Sequence, residues 1–218
     1  MTVLVIQNNV GRFKWTNVGK RLSTHSLRAD SLRLICFSRQ RPREKSPSYV
    51  PSLSFPAEVE SFYRIHNGQR LGVPGVIFGI ELLSIERIIE NWRNWESVSE
   101  DGLNEEFAES MSSNPLEYIK PHYVNLRWLP LTHDQGGNHI ELDFDPGPKG
   151  TIGQIIAFGR DDDEKKLVAV SFAPFIDMFI NELKAIDWMI HPESGWQIDD
   201  RQRGEAHYHD WPRSRVQT

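Results

Sequence analysis

An α+β fold is what this 218-residue sequence predicts, and three observations carry the prediction. Apolar residues recur at helical spacing near the start of the non-basic region and again, more strongly, near residue 180. Between them lie short alternating segments punctuated by glycine, proline and acidic turns. Helices outside and turn-linked strands inside make one layered domain rather than a bundle or a sandwich.

The elements follow in order. In "SFPAEVESFYRIHNGQ", Pro56 suits a first helical position with Ser54 as its cap, and Val59, Phe62 and Tyr63 give one apolar face. Gly68 is placed to close that helix in a left-handed conformation. "LGVPGVIFGIELLS" reads as short strand pieces. "SIERIIENWRNWESV" reads as a helix capped by Ser84, with Ile85, Ile88, Ile89, Trp92 and Trp95 at spacings of three and four. The polar, acidic "SEDGLNEEFAESMSSNPLEYIKPHY" is a connection with one short helix. "VNLRWLPLT" and "NHIELDFD" read as strands, and "GQIIAFGRDDDEKKLVAVS" as two strands around an acidic tip. In "SFAPFIDMFINELKAI", Phe172, Phe175, Ile176, Phe179, Ile180 and Leu183 form one continuous stripe that must be buried, most simply against the preceding sheet.

Composition bounds the function. A hydrophobic content of 39% with 11% aromatics is enough for a genuine core and argues against global disorder. The single cysteine, Cys36, excludes a disulfide framework and a cysteine-rich zinc site. No apolar run approaches the ~18 residues of a bilayer span, and no secretory signal is recognisable, so a soluble cytoplasmic protein is expected.

Charge is divided unevenly. Residues 1–50 hold ten Lys or Arg against Asp30 and Glu44, a net of +8, whereas the remainder holds 15 bases against 28 acids, a net of −13. Residues 1–52 therefore read as a basic, Ser- and Arg-rich leader, expected to be poorly ordered. A transit-peptide-like segment, and an arm for nucleic acid or a membrane surface, fit the same composition. The expected domain is 53–190, followed by a polar tail, 191–218, that contains His207, His209 and Asp210.

The stretch "PLTHDQGGNHIELDFDPGPKG" is the densest in chemistry-bearing side chains. Strand alternation puts His139, Glu141, Asp143 and Asp145 on one face and Ile140, Leu142 and Phe144 on the other. The apolar face must meet the core, which leaves the acidic face for solvent or a groove. Alternate strand residues stand roughly 6.5–7 Å apart, so the four do not automatically converge on an ion. No EF-hand, HExxH, GxSxG or Walker spacing is present, and no metal, cofactor or catalytic set is assigned. The enzyme alternative is a metal-dependent hydrolase using His133, His139, Asp143 and Asp145.

"PAEVESFYRIHNGQ" followed by "WLPLTHDQGGNHIELDFDPGPKGTIGQIIAFGRDDDEKKLVAVSFAPFIDMF" resembles the SUKH superfamily. It looks specifically like the SMI/KNR-type domain of fungal cell-wall-assembly regulators and their bacterial relatives. Pro56, the Tyr63–Gly68 helix end, Trp128, Pro130, Asp134, Gly137, Asn138, Leu142, Asp143, Gly153, Gln154 and the Ser171–Phe172 helix start carry the likeness, over roughly residues 55–185. The resemblance implies a non-catalytic single domain with a central, largely antiparallel twisted sheet flanked by helices. It implies a protein partner, either a toxin neutralised by an immunity-type protein or a component of cell-wall synthesis.

One departure stands out. Where the family pattern has a further helix, this chain has "RQRPREKSPSYVPSLS", so that helix is missing, divergent or replaced; replacement is favoured, which predicts a marginally stable domain.

The primary expectation is an immunity-type domain whose acidic body suits a basic toxin such as a nuclease. Candidate partner contacts are His133, Asp134, Glu141, Asp143, Asp145, Asp161, Asp162 and Asp163. Gly68, Gly137, Asn138, Gly153 and Gln154 are assigned to turns, and Asp134, Asn138 and Asp143 suit a turn-stabilising role equally well. A regulatory scaffold of cell-wall assembly or envelope synthesis is the alternative. Nucleic acid is expected to involve the leader alone.

Overall fold

The computed structural model describes residues 54–70, 75–77 and 80–185, with further short strands at 2–4, 15–17, 37–39, 188–191 and 195–198. Most of the leader, including Cys36, and the histidines of the C-terminal tail lie outside the described residues, as does the side chain of Leu183. Within the leader, β1 (Thr2–Leu4) pairs with β2 (Trp15–Asn17). β3 (Phe37–Arg39) pairs with β4 (His66–Gln69).

The first helix, α1 (Ala57–Ile65), begins one residue later than expected. Pro56 is its N-cap, with the extended ψ of 146° that the position before a helix demands, and its carbonyl accepts from the Glu60 amide. No side chain caps the helix, so the expected Ser54 cap is absent. Nor does Gly68 close it. Helix α1 stops because His66 turns extended, at φ −131°. Gly68 sits instead within β4 at φ +71°, where a Cβ would lie 2.4 Å from the Ser84 nitrogen and 2.6 Å from the Leu83 carbonyl carbon. Both the left-handed backbone and the close approach require glycine there.

β5 (Glu81–Leu82) leads into α2 (Ile85–Ser99), whose Ser84 cap is as expected: its hydroxyl accepts from the Arg87 amide. The short α3 (Leu103–Glu106) interrupts the acidic connection. The strands that follow are β6 (Ser112–Asn114), β7 (Trp128–Pro130), β8 (Thr132–His133), β9 (Asn138–Asp143), β10 (Gln154–Gly159) and β11 (Glu164–Ala169). The helix α4 (Phe172–Ala185) and a hairpin of β12 (Trp188–His191) with β13 (Gly195–Ile198) complete the described chain.

The central sheet has the order β6-β11-β10-β9-β7; β6 joins β11 in parallel and the other pairs are antiparallel. This is the α+β class expected. The run expected as one strand through Thr132 is broken at Leu131. Pro130 has no amide to donate, and the Ile140 amide is taken by the Thr132 hydroxyl at 2.7 Å. Strand β9 likewise ends at Asp143, whose carboxylate accepts the Asp145 amide at 2.8 Å and bends the chain.

One face of the sheet, with Ile140, Leu142, Ile155 and Val168, packs on Val59 and Tyr63 of α1 and on Phe172, Phe175 and Phe179 of α4. Glu58 ties the two helices together, because its Oε1 accepts the Phe172 amide at the head of α4 at 3.0 Å. The other face carries a smaller cluster of Trp128, Ile156, Phe158 and Leu167, covered by Ile119, Tyr118 and Trp95.

Candidate functional site

The expected alternation along β9 holds, but the expected exposure of its acidic face does not. Ile140 and Leu142 face the helices, while His139, Glu141 and Asp143 face the other way and are buried, Glu141 at 1% exposure and Asp143 at 0%. The long connection after α3 folds across that face, and Trp95 closes it from α2. A strand face read as solvated is therefore a polar interior layer, and in this closed arrangement neither Glu141 nor Asp143 is accessible to a docking partner.

Each buried group there has a defined role, except one. Trp95 Nε1 can only donate, so His139 Nε2 accepts from it at 3.1 Å, and His139 Nδ1 must donate to the Thr132 carbonyl at 2.6 Å. This fixes one neutral tautomer, and burial lowers the pKa to about 4, although the Thr132 carbonyl opposes that shift. Asp143 accepts from Trp128 Nε1 at 3.1 Å, Gln154 Nε2 at 2.8 Å and the Asp145 amide. Burial still raises it to about 6 against the pull of those bonds. Gln154 Nε2 also donates to the Tyr118 carbonyl, so the pair Asp143–Gln154 clamps the covering connection to the sheet.

Glu141 is the exception: neither carboxyl oxygen has a hydrogen-bond partner among the described residues. Burial drives its pKa well up, with Lys165 pulling it down and Asp143 pushing it further. Sequence reasoning missed Lys165, reading "DDDEKK" as a charged hairpin tip. It is fully buried, over the Phe158 ring at 4.9 Å, and donates to the Asp162 and Gly159 carbonyls. Burial lowers its pKa to about 8. The signal was present in the period-2 spacing of Lys165 with Leu167, the strand's inward residue.

The remaining candidates divide between the two ends of β9. At its start, Asp134 Oδ1 accepts the Gly136 and Asn138 amides, and Asn138 Nδ2 donates to Asp134 Oδ2 at 2.7 Å and to Asp161 Oδ2 at 3.3 Å. Asn138 thus joins the "HDQGGN" turn to the β10–β11 tip, where Asp161 and Asp163 are exposed and Asp162 is half-buried. Gly137, at φ +98°, makes that turn. His133, half-buried beside it, accepts the Gln135 amide on Nδ1, and burial lowers its pKa. At the other end Asp145 pairs with Lys120 at 2.5 Å and Asn125 at 3.0 Å, and Gly153, at φ +85°, leads into β10. Six strand residues separate the ends by roughly 17–20 Å, so the set does not form one surface.

The groups of the hydrolase alternative are similarly dispersed. The His133 and His139 rings lie 5.1 Å apart, but both His139 nitrogens and both Asp143 oxygens are committed internally, and Asp145 faces Lys120. Among the described residues no group of three or more His, Cys, Asp or Glu is placed to hold a metal ion. No described helix is long and apolar enough to cross a membrane.

Comparison with known proteins places this geometry in a family. The chain is similar to the glucan synthesis regulatory protein of Neurospora crassa, 32% identical over 178 residues, covering 67% of this chain and 34% of that protein. It is also similar to the cell wall assembly regulator SMI1 of Saccharomyces cerevisiae, 30% identical over 170 residues, covering 63% and 34%. A third relative is the cell wall biosynthesis/cell cycle regulator smi1 of Schizosaccharomyces pombe, 32% identical over 166 residues, covering 72% and 33%. The chain spans about a third of the length of these relatives. The model of the SMI1 / KNR4 family (SUKH-1) matches residues 52–178, across α1, the whole central sheet and the start of α4, and the chain belongs to that family.

Proposed function

We propose that residues 53–190 form a regulatory, protein-binding domain of cell-wall assembly, acting in the cytoplasm without catalysis or a cofactor. Its partner docks at the acidic turn end of the sheet, on Asp134, Asp161, Asp162 and Asp163 with His133 at the margin. The regulatory role is supported by the names of the matched relatives, which favour it over neutralisation of a toxin. A partner with a basic surface suits the net −13 of residues 51–218, since complementary charge speeds encounter and fixes orientation.

The observation that carries the reading is the division of polar groups. His139 and Asp143 spend their hydrogen-bonding capacity inside the fold, whereas Asp161 and Asp163 of the β10–β11 tip are exposed. The former are architecture; Asp161 and Asp163 face outward. Glu141 and Asp143 leave the docking set because they are buried, and Asp145 because it lies at the far end of β9.

The test is crosslinking capture from fungal cells with the intact chain and with the double variant Asp161→Lys, Asp163→Lys. The reading expects recovery of a wall-synthesis component by the intact chain, and its loss in the variant while circular dichroism shows the fold retained. Equal capture by the variant removes the docking site. Capture that never includes a wall-synthesis component removes the regulatory role.

A further inference from the structure

The polar face of the sheet holds a carboxyl for which the fold, as described, offers no compensation. Glu141 stands on β9 between Pro130 of β7 and Ile156 of β10, at 1% exposure, with both oxygens lacking hydrogen-bond partners among the described residues. Lys165 is the cation on that face, yet its ammonium is turned to the Asp162 and Gly159 carbonyls and forms no ion pair with Glu141. Other titratable groups facing this layer are His139 and Asp143 of β9, each already hydrogen-bonded, and Tyr118 and Tyr123 of the covering connection. The α2 helix contributes Trp95, and β10 contributes Ile156 and Phe158, none of which ionises. An ionised carboxylate here would be an uncompensated buried charge; a protonated one is merely a polar group of modest cost.

What closes this layer is a segment without a ladder of its own. Residues 115–127, between β6 and β7, form neither helix nor strand. They are held by side-chain and loop bonds: Tyr118 carbonyl to Gln154, Lys120 and Asn125 to Asp145, Val124 to Asn104 in both directions, and the Leu126 carbonyl to Trp92. Ile119 and Val124 are buried beneath, and the Phe144, Gly147 and Lys149 amides donate to the Arg127, Tyr118 and Glu117 carbonyls. The segment is thus packed and tied at its ends, but its middle, residues 119–126, has no helix or strand ladder to break before it lifts.

The geometry points to a proton-linked cover: residues 115–127 lie closed over the polar sheet face while Glu141 carries its proton, and open locally when that carboxyl ionises. Opening gives the carboxylate water and bares Ile156, Phe158 and Leu167. This device is independent of the acidic turn end and stands or falls separately from it.

Between pH 6.5 and 8, Glu141 is the group of this layer expected to drive opening. Protonation of His139 lies well below that window, and Asp143, with a pKa of about 6, is mostly ionised at its lower edge. Lys165, with a pKa of about 8, has lost about half its proton at the upper edge, so the comparison with Glu141→Gln isolates the Glu141 contribution. The test is amide hydrogen exchange on the full chain at pH 6.5 and 8.0, corrected for intrinsic chemistry. Protection in 115–127 is expected to fall severalfold from pH 6.5 to 8.0 while α1 and α4 are unaffected, and Glu141→Gln is expected to abolish that dependence. Protection independent of pH, or lost equally in α1 and α4, overturns the cover. Should Glu141→Gln fail to fold, carbon-13 titration of the Glu141 carboxyl in the natural chain decides. Titration at or below about pH 4.5 would mean a stable carboxylate, such as one recruited by Lys165, and the proposal would fall.

Discussion

The two faces of the central sheet are built from alternate residues of the same strands, yet they are stabilised by different physics. Toward α1 and α4, Ile140, Leu142, Ile155 and Val168 meet Tyr63, Phe172 and Phe175, and close packing of apolar groups does the work. Toward the 115–127 connection, His139, Glu141, Asp143 and Lys165 are interleaved with Trp128, Ile156 and Phe158. There, stability depends on whether each buried donor and acceptor finds its partner. The first face tolerates loss of shape poorly and pH well; the second has the opposite sensitivities.

Four substitutions or titrations sharpen that contrast, in decreasing order of effect. Phe175→Ala, at a fully buried position of α4 in the core between helix and sheet, is expected to cost about 3–5 kcal/mol in denaturant unfolding. A loss under 1 kcal/mol would show that the helical face is not the main core. Asp143→Ala deprives Trp128 Nε1, Gln154 Nε2 and the Asp145 amide of their acceptor. A loss of about 2–3 kcal/mol is expected, together with a change in Trp128 fluorescence, because the donors remain buried without a partner.

The third is the pH dependence of unfolding. His66 and His139 are lowered by burial to about 4, so the unfolded chain takes up protons first as pH falls from 6.5 to 4, and stability drops with acid. Asp143, raised to about 6, and Glu141, raised as well, act in the opposite sense, because the folded chain binds their protons first. The opposing pairs should leave the natural chain nearly level between pH 4.5 and 6. In Glu141→Gln the balance is broken, and stability should rise with pH by roughly 1 kcal/mol per unit over that range. Parallel profiles for the two proteins would contradict the buried, protonated carboxyl. The smallest expected effect is Glu58→Ala, which removes the acceptor at the head of α4, about 1 kcal/mol by thermal melting.

Much of this molecule was legible in its residues. The Ser84 cap, the apolar stripe of α4, the β10–β11 hairpin and the inside–outside alternation of β9 all follow from local spacing and turn chemistry, which the backbone cannot evade. Local errors had local causes. Pro56 caps rather than starts α1, Gly68 serves a close approach to Leu83 and Ser84, and Pro130 with Thr132 interrupts a strand that reads as continuous.

The larger miss was the acidic face. Alternation states which residues share a side, but it carries no information on what covers that side. The acidic, proline-punctuated connection gave no sign that Tyr118 and Ile119 would cross the sheet. The sequence by itself determined the elements, the α+β class, the kinship and the acidic character of the body. Only the tertiary structure decided that Asp134, Asn138 and Asp161 meet in one turn cluster, and that His139, Glu141, Asp143 and Lys165 lie inside rather than on the surface. The reason is physical: burial is set by contacts between residues distant in the chain, and the fate of a carboxylate depends on whether that packing leaves it water, a partner or neither.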